Sequence, residues 1–342
     1  MGRIVLSLVP ILWWFTISYA QQPDGPIVDS SVTLFDFLND LEIEHVILTT
    51  DLDSLIHNKY SAKEHPALLT ITLRDSRQLS FATKVSVRGK FRRIKCEFPP
   101  VELNFRKKDL RAKGLNGRRD NYKLVTHCLA DDDGKNAVLR EYLVYEMYQL
   151  LTDKSFRLKL FPIVYKDVDS DHQISSIAFV IESTKELTHR QGGTANKSLN
   201  PDHAKIDPFL FEQMALFQYM VGNRDMNLQI LRNILLVSNR ESDKMIPIAY
   251  DFDMAPFVHA AYAYPQYKDK RDVERIYLGI EENGDYLRNV IKVFREKKED
   301  FYRLINNFEP LSEAIRKECI NYLKAFYAQI EDKNFEMVYK ND

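Results

Sequence analysis

Residues 211–254 read FEQMALFQYMVGNRDMNLQILRNILLVSNRESDKMIPIAYDFDM, and the plan of the chain is organised around them. The apolar positions from Phe211 to Val221 fit one amphipathic helix. A polar loop follows, carrying Asn223, Arg224, Asp225, Asn227 and Asn233. Next comes an apolar hairpin whose second strand, IPIAY, is buried by composition and delivers Asp251-Phe252-Asp253. Two acidic groups thus flank one hairpin, a layout in which carboxylates at the ends of buried elements can hold Mg2+ while a nearby carboxylate orients a nucleophile.

On spacing alone an Asp-x-Asp is weak, since Asp51-Leu52-Asp53 and Asp167-Val168-Asp169 share it. What sets Asp251 and Asp253 apart is their pairing with Asn223-Arg224-Asp225 across a hairpin of suitable length. Helix, polar loop with an Asp, an Asn further on, two short strands and an acidic tripeptide is the order used by kinase-type phosphotransferases. In that reading Asp225 is the base or acceptor-orienting group. Asn233 is a metal ligand, Asp251 the main one, and Asp253 supports it. The competing reading has Asp225 capping a turn and the later pair bonding nearby backbone N–H groups.

Upstream, the first twenty residues have a basic start at Arg3, an apolar run from Ile4 to Phe15 and small residues at Ser18 and Ala20, the pattern of a secretory signal. No later segment approaches the roughly 20 apolar residues of a spanning helix. The expected mature chain is therefore exported, periplasmic or secreted, with no transmembrane span after signal cleavage. Lys plus Arg number 48 against 49 Asp plus Glu, so bulk charge points neither to nucleic acid nor to a membrane. The segment from Arg88 to Arg119 is locally basic and reads either as a solvated hairpin edge or as an anion-facing surface. Of three cysteines, Cys96 and Cys128 each follow a strand-like run and are the expected disulfide, while Cys319 lies on an apolar helix face.

Between these landmarks, Val32 to Leu41 reads as a short helix and EHVILTT as a strand. DLDSLIHNKYSAKEHP reads as loop and ALLTITL as a strand. In LSFATKVSVRGKFRR, Phe81, Thr83, Val85 and Val87 face one way and Ala82, Lys84, Ser86 and Arg88 the other. VELNF alternates too. A helix over NAVLREYLVYEMYQLL and the strands LKLFPIVYKD and ISSIAFVIES follow, and THRQGGTANKSLNPDHAKID reads as a polar loop, a candidate lid. Two long helical runs close the chain. Sheet first, then helices enclosing a hairpin, is an α+β plan of two lobes, with an antiparallel-sheet N-lobe and a mainly helical C-lobe.

The segment NYKLVTHCLADDDGKNAVLREYLVYEMYQLL resembles the part of CotH spore-coat proteins that runs from a strand through an acidic turn into a helix, here opening with Arg140-Glu141. Arg88-Gly89 is similar to that family's Arg-Gly strand end, LFPIVYKD to its next strand, and GNRDMN and YDFDM to its two active-site loops. The chain also resembles a group of exported bacterial envelope proteins that share FPP, KLVTHC and YDFD segments. CotH proteins are atypical kinases. The resemblance implies a protein-kinase-like unit over residues 21–342, with a sheet-rich N-lobe at about 32–182 and a helical C-lobe at about 183–342 after a signal peptide at 1–20. It implies metal-dependent phosphoryl transfer from ATP, with Mg2+ or Mn2+, to a hydroxyl of a protein or envelope acceptor.

Three departures qualify it. Asn233 stands eight residues after Asp225 where the family keeps about five, so Asn227 is a substitute ligand or the loop is distorted. Glu102 and Asn104 stand where a phosphate-binding Lys belongs, which leaves Lys84 first and Lys123 second, with Glu141 or Glu146 as ion-pair partner. No glycine-rich phosphate loop is present. The alternative function is a non-catalytic, kinase-like envelope scaffold. A third reading, a metal-dependent phosphatase or glycosyltransferase built on the Asp-x-Asp, meets Ala255 where the phosphatase pattern wants Thr or Val.

Overall fold

The computed structural model describes residues 31–61, 63–239, 242–280, 284–332 and 335. The expected signal peptide lies outside them. No helix among the described residues is long and apolar enough to cross a membrane.

Alternation of apolar and polar residues makes the first half a sheet, and the sheet closes. Strands β1 (Ile43–Thr50), β2 (His65–Leu73), β3 (Gln78–Val87), β4 (Val101–Phe105), β5 (Asn121–Val125), β6 (Leu158–Asp167) and β7 (Gln173–Ile181) form a barrel in the order β1-β2-β3-β4-β5-β7-β6. All neighbours are antiparallel except β6, which returns parallel to β1 and seals the barrel. The expected antiparallel sheet is thus corrected to a closed seven-stranded barrel with one parallel seam.

Inward residues such as Val85, Leu103, Tyr122 and Ile163 share one core with Leu34, Phe35 and Leu38 of helix α1 (Leu34–Asn39). Part of the DLDSLIHNKY stretch, expected as loop, is helix α2 (Leu52–His57). Its N-terminus rests on Asp167, whose carboxylate accepts the Leu52 N–H at 2.8 Å and the Asp169 N–H at 3.0 Å. That use gives Asp167 a structural part at the start of α2. Two short helices, α3 (Phe91–Lys95) and α4 (Lys107–Ala112), lie on either side of β4 in sequence.

A second core joins α5 (Asp132–Leu151), α7 (Pro208–Val221), α8 (Asp285–Asn306) and α9 (Glu313–Glu331). Helix α6 (Thr184–Arg190) follows β7, with a Ser183–Glu186 capping box. The polar loop after it is not wholly irregular: Gly193–Asn196 forms β8, which pairs with β9 (Ile234–Asn239), itself paired with β10 (Met245–Ala249). Helix α7 is not amphipathic as expected. Every residue from Phe211 to Val221 is buried, as befits a helix surrounded on all sides. The mixed α+β class is as the sequence reads.

Candidate active site

Helix α7 ends at Gly222, whose φ of 75° turns the chain out of the core while its N–H bonds the carbonyls of Gln218 and Tyr219. Buried Asn223 then accepts the Asp225 N–H at 3.0 Å, an Asx turn that presents Asp225. The extra residues of the loop are taken up next. Asn227 and Arg232 exchange both backbone hydrogen bonds, at 3.1 and 2.8 Å, and close residues 228–231 into a turn. Asn233 is thereby returned to Asp225, and its Nδ2 donates to the Asp225 carbonyl at 2.6 Å and to Oδ2 at 3.1 Å. With the amide nitrogen so fixed, its Oδ1 has no donor among the described residues.

Leu231 and Asn233 take positive φ, 51° and 56°, where the chain turns back, and Asn233 is the asparagine set against Asp225. Asn227 is exposed, and its Oδ1 accepts the Ile230 N–H at 3.1 Å inside the turn.

The second loop is tied to the first, since the Tyr250 N–H donates to the Asn233 carbonyl at 3.2 Å. Asp251 follows with φ 64°, and its N–H donates to the Tyr145 hydroxyl of α5 at 2.8 Å. Phe252 is fully buried against Tyr145, with ring centroids 4.7 Å apart, and against Phe217 at 5.7 Å. Anchored this way, the tripeptide holds Asp251 and Asp253 at the wall. Asp253 is buried, accepts the Tyr262 hydroxyl at 2.9 Å, and lies 3.9 Å from Arg92 Nη1. Burial and the nearby Asp251 push its carboxyl up to about 6. Glu141 on α5 is buried close by, and burial together with Asp253 raises it well above the usual carboxylate range. Arg92, and Arg88 for Glu141, offset part of this crowding of acids.

The facing wall comes from the barrel. Arg88, Lys90 and Arg92, just after β3 and into α3, line one open cleft with Asp225, Asp251 and Asp253, with a volume of about 690 Å³. Arg92 donates to the Thr126 carbonyl at 2.8 Å, yet its buried Nε has no partner. A second cavity of about 270 Å³ is lined by Lys123, Tyr250, Phe156, Ile181 and the segment after β7. The register Ser86–Glu102 and Glu102–Lys123 puts Lys123 on the outer barrel face, level with the cleft. Its ammonium lies 5.7 Å from the Tyr250 ring centroid. Burial and Arg88 draw it below the usual lysine range, opposed by Asp251 and Glu102.

Lys84 is the expectation that the structure corrects. It shares the outer face but lies two outward positions before Arg88 on β3. Its ammonium donates to Glu64 Oε2 at 2.7 Å, the Asn104 amide donates to the other oxygen of Glu64 at 2.8 Å, and Lys84 lines neither cavity. Nor does Glu141 pair with a lysine, because its cationic neighbours are Arg92 and Arg88. Glu146 bonds Tyr142 instead. Sequence reading placed Arg88 and Arg92 in a basic segment that was either a solvated edge or an anion-facing surface, without assigning either to this cleft; it assigned Tyr145 no part in holding Asp251. The signal for Arg88 was its place as the last outward residue of an alternating strand before Gly89.

Among the described residues no three His, Cys, Asp or Glu side chains converge as a metal-holding group. Asp251, Asp253 and the Asn233 Oδ1 are the oxygen groups here that could help hold Mg2+ or Mn2+, and phosphate oxygens would have to complete the shell.

No protein-family model and no curated protein match the chain. Among solved structures, a crystal structure of a Helicobacter pylori proinflammatory kinase, CtkA, is similar to it at a TM-score of 0.38 and 11% sequence identity. The overlay covers 71% of this chain and 93% of that one. So loose an overlay places no residue and assigns no role.

Chemically, the cleft sets a carboxylate fixed by Asn233 and Arg232 beside a pair of carboxylates suited to a metal, under a cationic wall suited to phosphates. The Arg232–Asp225 ion pair measures 3.2 Å.

Proposed function

We propose that this protein is a kinase-like phosphotransferase that moves the terminal phosphoryl group of ATP to a hydroxyl of a protein or envelope acceptor, with Mg2+ or Mn2+. The observation that carries the reading is the return of Asn233 to Asp225 across the closed turn. It sets an Asp, an Asn and the Asp251 loop together despite the long spacing. Asp225 orients the acceptor hydroxyl and takes its proton as the acceptor oxygen bonds phosphorus and the bond to the leaving ADP oxygen breaks. Asp251, Asp253 and Asn233 Oδ1 would hold the metal, which neutralises phosphate charge when bound. Arg88 and Lys123 bind phosphate oxygens, and the nucleoside lies in the cavity beside Tyr250 and Ile181.

Export is part of the same proposal. Its supports are the signal-like leader and the Cys96–Cys128 disulfide, a bond that persists in oxidising compartments.

Turnover of ATP with Mn2+ tests the chemistry. Asp225→Asn is expected to lower ADP formation by about 10²–10⁴-fold while nucleotide affinity holds; equal turnover in the variant overturns the assignment. One observation favours the alternative of a non-catalytic nucleotide-binding scaffold, namely that Arg232 occupies an oxygen of the would-be base. Tight nucleotide binding with no turnover in wild type or in Arg232→Ala would select it.

A further inference from the structure

The cleft carries more positive charge than its acids neutralise, and the surplus sits at the rim. Asp253 has Arg92 and Asp225 has Arg232. Lys90 and Arg224 also line the cleft, and neither forms an ion pair with a described acidic side chain. They approach it from different parts of the fold, Lys90 from the start of α3 and Arg224 from the loop after α7. Arg224 is held in place over the Tyr264 ring, 5.2 Å from its centroid. The Tyr264 carbonyl is in turn bonded by buried Lys270 at 2.9 Å. Between the rim and the outer surface runs an apolar strip. Phe91 lines the cleft yet is 48% exposed, and Ile94 on the same short helix is 62% exposed. Phe91 is braced from below by an edge-on contact with Tyr262, 6.1 Å between centroids.

We infer that the acceptor is an acidic peptide segment, its carboxylates met by Lys90 and Arg224 and its apolar side chains by Phe91 and Ile94. The word acceptor rests on the phosphotransferase reading, whereas binding of the segment does not. Acids on the floor of the cleft and cations on its rim divide the work: the floor suits a metal, and the rim suits an anionic partner that must not displace it. A small phosphorylated molecule would have no use for an apolar strip that continues outside the cleft. A flat lipid surface would meet that strip but would not reach between the two walls to Asp225. An extended peptide uses both.

Fluorescence anisotropy on the full chain tests this. The probes are a labelled serine peptide flanked by glutamates and the same peptide with glutamines. The glutamate peptide is expected to bind about tenfold more tightly at low salt, with the preference shrinking as salt rises. The Lys90→Glu/Arg224→Glu variant is expected to lose the preference for the glutamate peptide while it still binds the glutamine peptide as wild type does. Equal affinity for the two peptides overturns the inference. So does capture on phosphatidylserine vesicles that depends on Lys90 and Arg224 when the peptide does not bind. Selection of the acidic peptide by a protein that binds no nucleotide supports the docking surface and removes the phosphotransferase reading, so the two fail separately.

Discussion

Asp251 occupies the left-handed region at φ 64°, a conformation that costs a non-glycine residue roughly 1–3 kcal/mol and persists where surroundings enforce it. The enforcing group is the Tyr145 hydroxyl, which accepts the Asp251 N–H at 2.8 Å. Tyr145→Phe leaves that N–H without its acceptor, and chemical denaturation is expected to show a loss of about 1–3 kcal/mol. His127 offers a second measurement. It is buried against Phe98, centroids 4.7 Å apart, and its Nε2 has no partner. Burial, with Arg92 and Lys135 nearby, lowers its pKa from 6.5 to about 4. The unfolded chain therefore binds this proton near pH 6.5 and the folded chain only near 4. Stability is fully present above pH 6.5 and falls as pH drops toward 4, by about 3 kcal/mol for this group. Unfolding curves across that range should show the decline, and His127→Phe should lessen it. At this scale the sequence was informative about Asp225, Asn233, Asp251 and Asp253, whose order along the chain is fixed by one hairpin. It was uninformative about Lys84 against Arg88. Alternation tells which face a residue takes but not which end of the strand meets the rest of the fold, and Glu64, twenty residues away, captures Lys84.

Among elements, the turn from α7 into the Asp225 loop depends on Gly222. Its φ is 75°, and an added Cβ would meet the Tyr322 hydroxyl and the Pro256 ring. Gly222→Ala should cost more than about 1 kcal/mol, because strain and contact add to the ordinary penalty for that region, and thermal unfolding will report it. The elements themselves were legible where periodicity was long, as in β3, α5, α8 and α9. They were obscured where hydrogen bonds to distant residues made them. Helix α2 needs the Asp167 carboxylate from 115 positions away, and β8 is a strand only because β9 lies beside it. The closed turn over 228–231 belongs here too. The count of residues from Asp225 to Asn233 left open a substitute at Asn227 or a distorted loop; one antiparallel bridge takes up the surplus, with Leu231 and Asn233 at positive φ.

For the whole molecule, closing the barrel through the β1–β6 seam could not be read from alternation, which describes each strand's faces and not its partners. Closure gives the first half its own core, and α5 with the later helices builds the second. The cleft lies where the outer barrel face, α3 and the two acidic loops come together. Two loops whose Asp225 and Asp251 stand 26 positions apart are thus tied to each other and to a cationic wall. Calorimetric titration of ATP with Mn2+ into the full chain tests this arrangement most directly. Wild type should bind, only with the metal present, and Asp251→Asn and Asn233→Ala should each weaken binding about tenfold or more. No binding at millimolar nucleotide, or equal affinity in all three proteins, would contradict it.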